Sequence, residues 1–447
     1  IKKDKKAALE KLAAQEVQLQ ELLQQVETLR LQAKAAEKTE AELKALKAAG
    51  QAAVDTLKFD EATTRKRLID KELVEVGWDV DPMGVNTAQV SLEVEVPNQP
   101  TESNIGYADY VLWDDSGKPL AVIEAKKTAV DAEQGRTQAK LYADGLEQQH
   151  GRRPVIFYTN GYEIFIWDDA QDYPPRRLFG FYSKDSLEYL MRQRQTKLPL
   201  ETVKPKKEII GNRLYQIEAI QRVCERFTKK HRKALIVQAT GTGKTRVAIA
   251  LTDVLIRAHW GLRVLFLCDR LELRKQAKNA FGNPQFMKEP LTLVTAKTAK
   301  DRNKRIYLAT YPAMMKIFQT FDPGFFDLII ADESHRSIYN RYADLFRWFD
   351  CLQVGLTATP VKMINRNTYW LFECQNQNPT AYYSLDQAVE EGYLVPYEVY
   401  THTTQFLRSG IKFTQLSDDQ KEELEDAGED PTLFNYEADE LDKKIFN

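Results

Sequence analysis

Apolar and polar positions divide the chain into stretches with different periods. Over residues 1–55, Leu12, Leu19 and Val26 recur every seven positions, and Leu22, Leu29, Ala36 and Leu43 form a second row between them. The 3–4 alternation is that of a coiled-coil seam, weakened at Gln15, Ala33 and Glu40, with Gly50 as a stop. It predicts a long helix, packed on its own chain or gripping a partner. A shorter amphipathic helix is expected over 59–78, ending at Gly77-Trp78. Three strand-like runs follow, Ser91–Val96, Tyr107–Trp113 and Leu120–Lys127, the last two joined by the turn Asp115-Ser116-Gly117-Lys118-Pro119. A helix is expected at 131–149. Val155–Thr159 and Glu163–Trp167 then flank Asn160-Gly161, a hairpin signal. Residues 56–195 therefore read as one α+β domain.

Residues 196–210 carry prolines and lysines with little periodicity and read as a linker. Over 211–380 short apolar runs at 235–239, 264–268, 306–310, 328–332 and 352–358 alternate with helical stretches. That alternation predicts a parallel sheet covered by helices on both faces, so the fold class is multidomain α/β. Beyond Pro360 the pattern weakens, and 416–442 is acidic.

Composition adds limits. A chain of 447 residues has room for two or three domains. It is 43% apolar and 29% charged with net charge −2, which argues against a uniformly basic nucleic-acid binder but leaves room for local basic grooves. Four scattered cysteines without a CxxC pair fit a reducing, cytoplasmic setting and no zinc site. No apolar run approaches the roughly 20 residues of a membrane span, and no signal peptide is evident.

The densest chemistry lies in Leu235–Thr245, LIVQATGTGKT. An apolar strand breaks into Thr240-Gly241-Thr242-Gly243, and Lys244-Thr245 opens a helix. Such a turn lets backbone N–H groups close around phosphate oxygens, with the helix dipole adding to the attraction. Lys244 is placed for the β/γ-phosphates of ATP and Thr245 for Mg²⁺, although Gln238 stands where the usual pattern has glycine. A second apolar strand delivers Asp332-Glu333-Ser334-His335 at its C-terminal end, where parallel sheets bind ligands. Asp332 can hold Mg²⁺, and Glu333 can orient the attacking water.

These residues resemble the first RecA-like motor domain of superfamily 2 helicases and translocases. Arg213-Leu214-Tyr215-Gln216 resembles the adenine-reading motif, with Gln216 the implied base contact. Residues 239–245 resemble motif I, and Asp332–His335 the DEAH-type motif II, with serine in place of the more familiar alanine. Phe266–Arg270 with Gln276 and Ala309-Thr310-Tyr311 resemble strand-contacting motifs, which implies DNA contacts at Arg270 and Thr310. Gly355–Pro360 resembles motif III, which implies that Thr357 and Thr359, with His335, couple hydrolysis to movement. The resemblance also implies a second motor domain supplying arginine fingers. No equivalent is found before Asn447, so 381–447 reads as a connection to an absent or incomplete second domain. Fingers of that kind are worth ~10³–10⁵ in rate in other NTPases, and this stretch alone is expected to hydrolyse ATP poorly.

In the α+β region, Glu124 and Lys126 stand two apart on one predicted strand and share a face. The short turn lets Asp109, on the strand before, lie beside Glu124. Two carboxylates and an amine at one sheet edge can hold Mg²⁺ against a phosphodiester. Gly106–Tyr110 followed by Ile123-Glu124-Ala125-Lys126 resembles the PD-(D/E)xK nuclease core, with Ala108 where a proline is usual. Gln138-Ala139-Lys140-Leu141-Tyr142 resembles the Q-x-x-x-Y motif of RecB-like nucleases, which implies nuclease support by Gln138 and Tyr142. The family often adds a glutamate from the first helix, for which Glu61 and Glu72 both qualify.

A nuclease followed by a motor, in that order, resembles the restriction (R) subunit of type I restriction-modification enzymes, over roughly residues 59–400. The resemblance implies ATP-driven translocation of double-stranded DNA, Mg²⁺-dependent cutting far from the recognition site, and modification (methyltransferase) and specificity subunits as partners. The alternatives are a stand-alone repair helicase–nuclease and a non-cutting translocase or scaffold.

Overall fold

A computed structural model describes residues 65–127, 130–295, 298, 301–334, 342–360, 362–363 and 366–396, with two short strands at 411–412 and 435–436. The coiled-coil-like segment 1–55, Glu61, His335 and most of the acidic stretch 416–442 lie outside the described residues.

The first part is a six-stranded mixed sheet with strands in chain order. A π-helical turn, Arg65–Ile69, leads into α1 (Asp70–Glu75). Then come β1 (Val90–Pro97), β2 (Ile105–Trp113) and β3 (Pro119–Ala125), all antiparallel. β4 (Val155–Thr159) runs parallel to β3. A parallel pair needs a crossover, here a 3₁₀ turn (Ala132–Gly135) and α2 (Arg136–His150). β5 (Ile164–Trp167) and β6 (Arg176–Leu178) complete the sheet, antiparallel. The β4–β5 hairpin turns where expected: Asn160 Oδ1 accepts from the N–H groups of Tyr162 and Glu163, and Gly161 takes φ +80°. Alternation sends Val111, Val122, Ile156 and Tyr158 towards Ala139, Ala143 and Leu146 of α2. Tyr110, Leu112, Ile123 and Phe157 pack the other face, with Leu73 of α1 and with Leu187 and Met191 of α3 (Lys184–Thr196).

Residues 196–210, expected as a linker, are packed. Leu200, Ile209 and Ile210 enter the core of the second part, and the Trp260 indole N–H donates to the Leu198 carbonyl at 2.8 Å. Three buried apolar side chains outweigh the prolines and lysines around them. The last residues form α4 (Lys207–Ile210), followed by α5 (Leu214–Thr228).

The second part is an α/β fold built on a parallel sheet with helices on both faces. Its chain order is β7 (Lys233–Gln238), α6 (Lys244–Arg257), β8 (Val264–Cys268), α7 (Leu271–Phe281), β9 (Leu291–Leu293), β10 (Ile306–Thr310), α8 (Tyr311–Met315), β11 (Leu328–Ala331), α9 (Ala343–Trp348) and β12 (Leu352–Thr357). The seven-stranded sheet has the order β15-β7-β12-β11-β8-β10-β9, where β15 is Ala381–Tyr383, and all its pairs are parallel. Apolar cores on both faces explain the unbroken apolar runs of the strands. Residues 394–447 form a separate unit holding the antiparallel pair Ile411–Lys412 and Asn435–Tyr436. Among the described residues no helix is long and apolar enough to cross a membrane, and all four cysteines are free and buried.

The two sheets meet at one edge of the second. Arg232, Arg263, Asp327 and Asp350 come just before β7, β8, β11 and β12. Arg176 of β6 grips Asp350 with two bonds of 2.6 Å, Tyr182 donates to the same carboxylate at 2.5 Å, and Arg232 adds a contact at 2.9 Å. Arg263 reaches Asp185 at 2.7 Å, and the Ser183 hydroxyl donates to Asp322 at 3.1 Å. Contact with the first part thus falls at the N-terminal ends of the parallel strands, opposite the C-terminal ends where such sheets bind ligands.

Burial alone would raise the Asp350 carboxyl, but Arg176 and Arg232 hold it well below the usual aspartate range. A depressed native value gives stability that is full at neutral pH and is lost only as pH falls below about 4 towards that value. Asp350→Ala strands two partly buried guanidinium groups and is expected to cost about 3 kcal/mol in urea unfolding at pH 7. A loss under about 1 kcal/mol would show that the joint does not rest on this residue.

Candidate functional sites

Tyr110 pairs with Ile123 across β2 and β3, so Asp109 and Glu124 face each other one step further on. Asp109 Oδ2 accepts the Ala125 N–H at 2.7 Å. The Glu124 carboxylate, 1% exposed, accepts from Lys126 Nζ at 2.6 Å. β3 ends at Ala125, so Lys126 lies just past the strand rather than on it. Its N–H still bonds the Thr159 carbonyl at 2.7 Å, which carries the strand alternation one residue further and leaves both side chains on one side. Lys126 Nζ also donates to Gln138 Oε1 at 2.7 Å, and Gln138 Nε2 to the Tyr142 hydroxyl at 2.7 Å. The result is one chain, Glu124–Lys126–Gln138–Tyr142, from sheet to helix. Burial raises the Tyr142 phenol above its ordinary value, which suits an acceptor that keeps its proton.

Glu72 lies on α1, and Arg65, just before that helix, contacts Asp109. Its Nη1 contacts Asp109 Oδ1 and its Nη2 contacts Glu93 Oε1, both at 3.0 Å. Burial alone would lower the guanidinium, and the Asp109 and Glu93 charges outweigh it and raise it. Three basic residues in a row, Arg65-Lys66-Arg67, gave no local sign of which one turns inward. Among the described residues no three His, Cys, Asp or Glu side chains converge as a metal site. Mg²⁺ keeps several waters and takes one or two carboxylates, so the paired oxygens of Asp109 and Glu124 fit it.

At the C-terminal end of the parallel sheet, β7 leads through Thr240 and Gly241, both exposed, into α6. Gly241 and Gly243 take φ +85° and +89°, and a Cβ on Gly243 would fall 2.6 Å from Gln216 Nε2, so only glycine fits there. The Thr242 carbonyl accepts from Gln216 Nε2 and from the Tyr215 hydroxyl, each at 2.8 Å. Lys244 Nζ lies 3.4 Å from the Gln238 carbonyl and 3.6 Å from Glu333. Asp332 ends β11 buried, its Oδ1 accepting the Glu333 N–H at 3.0 Å, and Glu333 takes a left-handed φ of +48°. Thr245 is half-buried beside Lys244. Gln216, Gly243, Lys244 and Glu333 are thus brought together.

Gln216 is fully buried, and its Oε1 has no hydrogen-bond partner among the described residues. Tyr215 stacks on Tyr383 at 4.0 Å and meets Tyr393 edge-on at 5.0 Å. An orphaned acceptor beside aromatic rings fits the amino edge of a base. The two partner tyrosines were missed because they lie far along the chain.

Thr310 ends β10, and Arg270 follows the neighbouring strand β8. Thr310 caps α8, accepting the Ala313 N–H at 3.4 Å, and Arg270 is exposed. Thr357 is buried and accepts the N–H of the exposed Thr359 at 3.1 Å.

Residues 1–174 match the family described as the type I restriction enzyme R protein N terminus, and 209–362 match that of the type III restriction enzyme res subunit. The endonuclease subunit of the type I restriction enzyme EcoAI from Escherichia coli is 31% identical over 374 residues, 76% of this chain and 43% of that protein. This chain is similar to the endonuclease subunits of type I restriction enzymes. The EcoKI subunit from Escherichia coli strain K12 is 28% identical over 481 residues, 86% of this chain and 40% of that protein. A solved fragment assigned to the HsdR subunit of a type I enzyme of Vibrio vulnificus YJ016 is 28% identical, covering 75% of this chain and 61% of its own, with a TM-score of 0.34. The chain thus spans about two fifths of these two curated relatives.

The doubly bonded Thr242 carbonyl yields a test. Tyr215→Phe or Gln216→Leu alone leaves it one partner and is expected to cost about 1 kcal/mol in urea unfolding. The double variant leaves it bare and should cost about 1–3 kcal/mol more than the sum. Additive losses would show that the two bonds do not share this carbonyl.

Proposed function

We propose that this chain carries the nuclease and first motor domain of a type I restriction endonuclease subunit, residues 56–195 and 211–380, with 381–447 leading towards a second motor domain. The carrying observation is the pairing of an Asp109–Glu124–Lys126 cluster with a Lys244–Glu333 phosphate cradle, in that chain order. The substrates are ATP and double-stranded DNA in the cytoplasm, and the partners are modification and specificity subunits.

In the motor, Lys244 neutralises Glu333 when no nucleotide is bound. The β/γ-phosphates offer a stronger anion, so Lys244 transfers to them and Glu333 is left to orient water. The amide N–H groups of 240–245 cradle the phosphates. Gln216 Oε1 accepts from the adenine amino group, and Thr245 and Asp332 hold Mg²⁺. Arg270 and Thr310, at the strand ends, contact the DNA backbone, which suits movement along any sequence. Thr357 and Thr359, with His335, relay the state of the phosphate.

In the nuclease, Asp109 and Glu124 would hold Mg²⁺, which would supply polarisation of the phosphodiester and a more acidic water. Lys126 is fixed by Glu124 and Gln138 beside that point, ready to steer the attacking water and balance charge, and Tyr142 fixes Gln138.

Full-length protein assembled with its modification and specificity subunits should cut unmethylated circular DNA with ATP and Mg²⁺. Lys126→Ala should abolish cutting and keep the ATPase. Lys244→Ala should lower the ATPase by about 10²-fold or more and abolish cutting too. Cutting without the partner subunits would favour a repair helicase–nuclease. Loss of ATPase in Lys126→Ala would contradict two separate sites.

A further inference from the structure

The cleavage site carries more positive charge than its reading requires. Lys126 sits on Glu124, and Arg65 sits on Asp109. The position of Arg65 is fixed from below: Ile69 and Leu73 are buried, and the Tyr110 hydroxyl, next to Asp109, donates to Asp70 at 2.7 Å. Its guanidinium divides between two carboxylates of unlike exposure, Asp109 at 12% and Glu93 at 67%. Leu92 pairs with Tyr110 and Val94 with Ala108, so Glu93 stands across from Asp109. Glu93 also takes φ +49° in mid-strand. A left-handed backbone is costly for a non-glycine residue, and such strain collects at functional sites.

A divalent cation at Asp109 and Glu124 cannot share that space with both existing cations. Lys126 is tied to Glu124 and to Gln138. Arg65 has a second carboxylate already in hand on the open side. We infer that Arg65 is a positioning residue that stands in for the metal at Asp109, and that Glu93 is the acceptor that takes its guanidinium when the metal arrives. The inference rests on the nuclease reading above. It gives the strained Glu93 a purpose, and it leaves beside the metal a planar donor suited to phosphate oxygens.

The probe is Mn²⁺ binding to nucleotide-free full-length protein, read from the electron paramagnetic resonance of free Mn²⁺, with Asp109→Asn identifying the site. Arg65→Gln removes the competing charge and should tighten binding at this site roughly tenfold, while DNA cutting falls. Glu93→Gln, at an exposed position, should weaken Mn²⁺ binding, because Arg65 loses its alternative. These opposite signs are not produced by simple damage to the fold. If Mn²⁺ binding depends on Asp109 but neither variant moves it, Arg65 and Glu93 have no such role and the nuclease reading stands. If wild-type protein shows no Asp109-dependent Mn²⁺ at all, the nuclease reading fails and this inference with it.

Discussion

A charge can be taken out of water only where an opposite charge or hydrogen bonds replace what water gave. That constraint organises this chain at its important points. Glu124 is buried against Lys126, Asp109 against Arg65, Asp350 between Arg176 and Arg232, and Lys244 meets Glu333. At Asp350 the match is complete, and the result is a joint. At the other three each partner is one that a metal ion or a phosphate would take over if the proposed sites act as inferred.

The polarity of the parallel sheet keeps these roles apart. Arg232, Arg263, Asp327 and Asp350 come just before its strands, where the first sheet docks, and the cradle, Asp332 and Thr357 lie at the other ends. A strand of five residues spans roughly 16 Å, so the joint and the nucleotide cradle lie at opposite ends of the same short rods. A shift at the cradle reaches the joint only through strands packed on both faces, which move as one body. The first domain is therefore carried by the second rather than tethered to it.

The legible parts of the sequence are those where one local period decides the structure. The runs at 264–268 and 306–310 match β8 and β10 to the residue, because strands buried on both faces are apolar throughout. Gln138 and Tyr142, four apart, fall on one helix face as the spacing requires. What was not legible has no local period. Strands β6, β9 and β15 have three residues each, too few to alternate. Arg176 and Asp350 are 174 positions apart. Arg65 is one basic residue among three, and its partners belong to other strands. The stretch 196–210 resembled a linker because its composition speaks louder than its three buried apolar side chains.

The most direct measurement is a crystal of the full-length protein grown with Mn²⁺ and without nucleotide, with anomalous scattering recorded at the manganese edge. The expected result is an ion bridging Asp109 and Glu124 at roughly 2.0–2.3 Å from their oxygens, with Arg65 withdrawn to Glu93. A map that leaves this carboxylate pair empty, with Arg65 still on Asp109 at saturating Mn²⁺, would contradict a metal-dependent nuclease in this chain.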